Sequence, residues 1–84
     1  MDDEIDDVIH EELGRHGKLA VAVTTIGDDD DLYRLGLTSH GTVSVMLALE
    51  ERLDVELPDE ALRRETFSSI RSIRAAFEVA VDSR

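Results

Sequence analysis

The sequence predicts an all-α fold, a four-helix bundle with a long loop between its first and second helices. Three stretches place apolar residues at the three- and four-residue steps of an amphipathic helix, at about residues 3–16, 39–53 and 70–81. A shorter helical turn is expected after Pro58. A chain of 84 residues buries only a modest core, so we expect one domain that covers residues 1–84.

The first predicted helix, residues 3–16, has one apolar face made by Ile5, Val8, Ile9 and Leu13. Helical periodicity is then lost over residues 18–37. The apolar run at residues 19–23 could be a strand, but a lone strand has no partner in a helical chain. We therefore expect a long loop that is held to the core by Leu19, Val23 and Ile26.

Four consecutive acids, residues 28–31, lie in this loop. A calcium site is one interpretation, but an EF-hand loop needs an oxygen ligand at its fifth position and glycine at its sixth. Counted from Asp28, these positions are Leu32 and Tyr33, so the pattern fails. We therefore predict no metal site here. We expect the four acids to be exposed, with too few nearby Lys or Arg residues to neutralise them.

The second long helix is predicted over residues 39–53, with Pro58 preventing its extension further along the chain. Its core stripe consists of Val45, Met46, Leu49 and Leu53. Val43 and Leu47 lie four residues apart on a flank of this stripe. They either fill a satellite of the core or form a docking surface, and the pattern leaves both possibilities open.

The last helix is preceded by a short helical turn that is expected to run from Pro58 to Arg64. The apolar face of the last helix is made by Ile70, Ile73, Phe77 and Val81. Either Thr66 or Ser68 is expected to cap its N-terminus.

Charge and composition favour a small acidic binding protein. Twenty Asp and Glu residues against nine Lys and Arg residues give a formal charge of −11. Such a surface repels nucleic acid and anionic lipid and attracts basic protein patches. There is no cysteine, and no segment has the pattern of a signal peptide or the length of a membrane span. We expect a cytoplasmic monomer that binds neither nucleic acid nor membranes.

Ser39 is the candidate functional residue, because it lies in a turn-forming segment at the predicted start of the second helix. Thr38 or Ser39 could serve only to cap that helix. A serine nucleophile would need a base oriented by a third group, whereas His40 is adjacent and points to another side of the helix. Gly-x-Ser-x-Gly is also absent, so we do not expect an enzyme.

The surroundings of Ser39 resemble the attachment site of the acyl and peptidyl carrier proteins. The shared features are Leu-x-x-Leu-Gly-Leu-Thr-Ser over residues 32–39, Val43, Leu-Glu-Glu at residues 49–51 and Val-Glu-Leu-Pro-Asp-Glu at residues 55–60. With the flanking helices, the resemblance extends to nearly the whole chain. It implies a carrier-protein bundle in which Ser39 carries 4′-phosphopantetheine, transferred from coenzyme A by a separate, magnesium-dependent phosphopantetheinyl transferase.

The resemblance also implies a function and partners. The flexible arm would supply a thiol, on which the protein holds an acyl or aminoacyl group as a thioester. A ligase would load this group, and downstream acyl-transferring enzymes would remove it. These partners are expected to dock around Ser39, on Thr38, His40, Val43, Leu47, Glu50 and Glu51.

The chain also departs from the usual family pattern. The common Asp-Ser-Leu of the site is Thr38-Ser39-His40 here, and Gly41 and Ser44 stand where acids are frequent. These differences argue against compatibility with a housekeeping fatty-acid synthase and its transferase.

Within the family, residues 31–33, 36–39 and 64–70 are similar to small free-standing carriers that are charged with amino acids. Those carriers are loaded by shortened relatives of class II aminoacyl-tRNA synthetases. The alternative from another class of protein is an unmodified acidic adaptor that docks basic partners and uses Ser39 only as a helix cap.

Overall fold

The computed structural model describes residues 2–83, with side chains described from Glu4 onward, and the all-α prediction is confirmed. Its three α-helices are α1, Asp2–His16; α2, Ser39–Leu53; and α3, Ile70–Asp82. Three short 3-10 turns cover Val23–Thr25, Asp59–Ala61 and Arg64–Phe67, and residues 2–83 contain no strand.

The predicted count of four helices is not confirmed. In place of one helical turn after Pro58, the chain makes two 3-10 turns. Between them Leu62 has φ −86° and ψ 64°, and Arg63 is extended at φ −131° and ψ 157°. Because neither residue has helical backbone angles, the two turns cannot join into one helix.

The segment between α1 and α2, residues 17–38, contains the 3-10 turn Val23–Thr25. Ile26 is buried, while Leu19 and Val23 are half-buried against the core. The Ala20 N–H donates to the Leu35 carbonyl at 2.8 Å, which ties the two ends of the segment together.

The chain enters α2 through a turn that requires glycine. Gly36 has φ 115°, a conformation that residues with a Cβ rarely adopt. This turn allows the Leu37 N–H to donate to the Leu32 carbonyl at 3.0 Å, with both leucine side chains buried. Two buried anchors therefore hold the chain immediately before Ser39.

The start of α3 differs from the prediction. Its N-cap is Ser69, whose hydroxyl accepts from the Ser72 N–H at 3.1 Å, and the Ser72 hydroxyl accepts from the Ser69 N–H in return. This reciprocal pair satisfies two N–H groups of the first turn. Neither Thr66 nor Ser68 caps the helix, because Thr66 lies within the preceding 3-10 turn and Ser68 follows that turn directly.

The core lies where α1 packs against both α2 and α3. Its fully buried apolar side chains are Ile9, Leu13, Leu32, Val45, Leu49, Ile70, Ile73 and Phe77. Burial of each large side chain contributes about 1.5–3 kcal/mol, which explains why apolar periodicity locates the helices so well. None of the helices in residues 2–83 combines the length and apolar character needed to cross a bilayer.

The acidic run at residues 28–31 is not left unneutralised, contrary to the prediction. Arg71 contacts both carboxylate oxygens of Asp29, at 2.6 and 3.1 Å, and Arg74 lies 3.0 Å from a carboxylate oxygen of Asp28. Arg74 also reaches Asp6 of α1 at 2.7 Å. The hydrogen bond from Arg71 lowers the pKa of Asp29 below its ordinary value.

The other two acids of the run accept backbone hydrogen bonds. Asp30 accepts from the Gly27 N–H at 2.8 Å, and Asp31 accepts from the Tyr33 N–H at 3.0 Å. Among residues with described side chains, no group of three or more His, Asp or Glu residues is arranged to hold a metal ion.

Candidate functional site

Ser39 is the exposed first residue of α2, and Thr38 before it is the N-cap. The Thr38 hydroxyl oxygen accepts from the Gly41 N–H at 3.0 Å, and the Thr38 carbonyl accepts from the Thr42 N–H at 2.8 Å. Within residues 2–83, the Ser39 hydroxyl makes no hydrogen bond. Capping is therefore done by Thr38, and the Ser39 hydroxyl is available for another role.

The first turn of α2 is held by the end of α1. A Cβ placed on the buried Gly41 would lie 3.3 Å from the His16 carbonyl oxygen and 3.5 Å from that of Gly17. The absence of a side chain at Gly41 lets the two backbones approach this closely. Ser39 consequently stands on a helix whose start is fixed by packing rather than on a free loop.

A groove of about 470 Å³ opens beside Ser39, between α2 and the 3-10 turn at Arg64–Phe67. It is lined by Tyr33, Ser39, Thr42, Val43, Met46, Leu62, Arg63, Arg64 and Phe67. Val43, Met46, Leu62 and Phe67 give the groove apolar surface, and Arg63 and Arg64 bring positive charge to it. The groove was not predicted, and the signal that could have indicated it is the Arg-Arg pair in an otherwise acidic chain.

Two contacts between residues that line this groove link the loop before α2 to the Arg64–Phe67 turn. The Arg64 guanidinium carbon lies 3.8 Å from the centroid of the Tyr33 ring, a cation–π arrangement. The Tyr33 hydroxyl also donates to the Arg64 carbonyl at 2.9 Å.

The residues predicted to dock partners do not all lie free at the surface. Val43 and Leu47 are 51% and 54% exposed, so they are not a satellite of the core. Thr38, His40 and Glu51 are exposed too. Glu50 is half-buried, and its carboxylate accepts from the Leu57 N–H at 2.9 Å. Part of the predicted docking surface therefore holds the fold together.

Comparison with known proteins identifies the family. A family model described as a phosphopantetheine attachment site matches residues 3–77. The chain is 41% identical over 76 residues to an aminoacyl carrier protein from Agrobacterium fabrum, which covers 90% of this chain and 92% of that protein. The chain therefore belongs to the phosphopantetheine-attachment family of carrier proteins.

Solved structures agree with this assignment. One match is a chain in a crystal structure of an engineered Bradyrhizobium japonicum glycine:[carrier protein] ligase complexed with carrier protein from Agrobacterium tumefaciens and AMP. It has a TM-score of 0.84 and 41% identity, over 87% of this chain and 97% of that chain. A second is in a crystal structure of the Bradyrhizobium japonicum ligase complexed with glycylated carrier protein. It has a TM-score of 0.74 and 25% identity, over 87% and 97% of the two chains.

Family membership confirms the predicted carrier function and its cofactor, 4′-phosphopantetheine. It favours a carrier over the unmodified adaptor, because an adaptor has no use for an attachment site.

Proposed function

We propose that this chain is an aminoacyl carrier protein and that Ser39 bears its 4′-phosphopantetheine. The observation that carries this proposal is the exposed Ser39 hydroxyl, which makes no hydrogen bond within residues 2–83, because Thr38 already caps α2. A hydroxyl that is accessible and not used by the fold is the group that a modifying enzyme can reach.

The residues around Ser39 fit the cofactor. A helix N-terminus favours an attached phosphate, since its backbone N–H groups and the helix dipole attract negative charge. The chain has no cysteine, and the bound arm supplies the thiol on which a thioester is held. The protein itself contributes the position of the arm and the surface that partners recognise, and we propose no catalytic residue in it.

The proposed loading partner is an amino acid:[carrier protein] ligase, as in the complexes formed by similar carrier proteins. It would dock on α2 through the exposed apolar pair Val43 and Leu47, with basic residues facing Glu51. A phosphopantetheinyl transferase would add the arm, and acyl-transferring enzymes would collect the cargo. We propose that the chain works in the cytoplasm as a monomer of one domain, residues 1–84.

The attachment site is tested by co-expressing the protein with a broad-specificity phosphopantetheinyl transferase and measuring its intact mass. We expect a gain of one phosphopantetheine, lost in Ser39→Ala and kept in the matched control Ser44→Ala on the same helix. A gain that persists in Ser39→Ala would place the arm on another residue.

The cargo is tested on the modified protein with a glycine:[carrier protein] ligase, ATP and a mixture of amino acids. A further gain equal to one aminoacyl group, reversed by hydroxylamine, is the expected result. If the arm accepts fatty acyl groups from an acyl-ACP synthetase but no amino acid from any ligase, the aminoacyl assignment is wrong.

A further inference from the structure

The cations of this acidic protein fall into two groups. Within residues 4–83, Arg15, Arg52, Arg71 and Arg74 each contact a carboxylate. The second group has no carboxylate partner among the described side chains, although the chain has twenty acidic residues. It consists of Lys18, Arg34, Arg63 and Arg64. Two of these unpaired cations, Arg63 and Arg64, line the groove beside Ser39.

We propose that Arg63 and Arg64 bind the phosphodiester of the Ser39-linked arm, and that Tyr33 positions Arg64 for this contact. The proposal deepens the proposed function and rests on attachment at Ser39. Arg63 and Arg64 bind the cofactor and Tyr33 acts through Arg64, so none of the three is catalytic.

Charge and chemistry both point to a phosphodiester. Esterification attaches to the Ser39 oxygen a phosphodiester that carries one negative charge, and Ser39 lines the same groove as the two arginines. Guanidinium groups bind phosphate through paired N–H donors, and they do so more strongly than neutral donors. The N–H groups of both arginines make no hydrogen bond within the described side chains, so they are free to donate to such a group.

Tyr33 holds Arg64 in two ways. Its hydroxyl anchors the Arg64 carbonyl at 2.9 Å, and its ring lies under the guanidinium, 3.8 Å from the centroid. Stacking uses the flat face of a guanidinium and leaves the N–H groups at its edge available. Arg64 is thus ordered before the phosphate arrives, which reduces the entropy lost on binding.

The rest of the groove suits the arm that follows the phosphate. Val43, Met46 and Phe67 provide an apolar wall next to Ser39. The pantetheine chain begins with two methyl groups beside its phosphate, and these can bury apolar surface against such a wall. The arm therefore rests along the groove until a partner enzyme withdraws it.

The test compares backbone amide NMR shifts of the apo and phosphopantetheinylated forms of the full chain. Attachment should shift the amides of residues 62–67 as well as those next to Ser39. In the double variant Arg63→Gln/Arg64→Gln the shifts at residues 62–67 should disappear, while the intact mass still shows the arm. Arg34→Gln, which removes an unpaired cation outside the groove, is the matched control and should keep them.

Two further measurements make the result specific. A nitroxide attached to the arm's thiol should tumble faster in the double variant than in the wild-type protein. Arg63→Lys/Arg64→Lys keeps the charge and should restore part of the immobilisation, and Tyr33→Ala should lose part of it.

The outcomes separate this proposal from the attachment itself. Suppose that the intact mass shows an arm on Ser39. If its addition leaves the amide NMR signals of residues 62–67 unchanged, or if it shifts them equally in the double variant and in the wild-type protein, the proposed arginine contact is wrong while the attachment stands. If no variant gains an arm, the attachment at Ser39 fails and the contact with it.

Discussion

An Nη1 atom of Arg52 lies 2.8 Å from the Glu12 carboxylate and joins the last turn of α2 to α1. The Glu12 side chain is only 2% exposed, and it also contacts His16 at 3.3 Å and Arg15 at 3.5 Å. The same Arg52 atom lies 2.9 Å from the exposed Glu11. A buried carboxylate therefore fixes the far end of α2, opposite the end that presents Ser39.

Glu12→Gln should reduce the free energy of unfolding by about 1–3 kcal/mol, because it removes the charge from a buried hydrogen-bonded carboxylate. Glu11→Gln is the matched control, since its partner is also Arg52 but its side chain is 54% exposed. That control should cost about 0–1 kcal/mol. Urea unfolding followed by circular dichroism measures both, and equal losses would show that Glu12 has no special role.

Thr38→Ala should destabilise the protein by about 0.5–2 kcal/mol, because the Gly41 N–H loses the side-chain acceptor that caps α2. Thr38→Ser and Thr38→Asp keep an oxygen acceptor and should restore most of the stability, with Asp adding a favourable interaction with the helix dipole. Thermal unfolding of the three variants measures this series. Full stability in Thr38→Ala would mean that the cap contributes nothing.

Reversal of charge at Glu51 should slow loading by a partner ligase by a factor of several, without loss of stability, because Glu51 is exposed on α2. Asp7→Lys on α1 changes the net charge equally and should load at the wild-type rate. Glu50→Lys should in addition destabilise the fold, since the Leu57 N–H loses its acceptor. Loading rates at two salt concentrations measure the effect, and a rate in Glu51→Lys that matches Asp7→Lys would exclude this face as the docking surface.

The pKa of Asp29 should rise towards its ordinary value in Arg71→Gln, because the hydrogen bond from Arg71 lowers it in the folded protein. A carboxyl with a lowered folded pKa stabilises the fold above its unfolded pKa, and that contribution is lost as pH falls through the folded pKa. The contribution is small at this exposed site. Carbon-13 NMR titration of the Asp29 carboxyl measures the shift, with Arg34→Gln as the control that should leave it unchanged.

Local signals were sufficient for the elements around Ser39. The predicted bounds of the second helix, residues 39–53, match α2, because apolar periodicity and a capping hydroxyl both act within a few residues. Local signals were not sufficient at the start of α3, where three hydroxyl residues lie close together and only their backbone angles select Ser69 as the cap. They were not sufficient after Pro58 either, where the backbone angles of Leu62 and Arg63 divide one expected turn into two.

The sequence by itself determined the helical class, the position of Ser39 at a helix start and the family to which the chain belongs, since each depends on residues close together along the chain. Only the tertiary structure decided which charges are paired and what surrounds Ser39. Arg71 reaches Asp29 across 42 positions and Tyr33 reaches Arg64 across 31. Such contacts depend on how the helices pack against one another. The distances that this packing sets cannot be predicted from the separation of the residues along the chain.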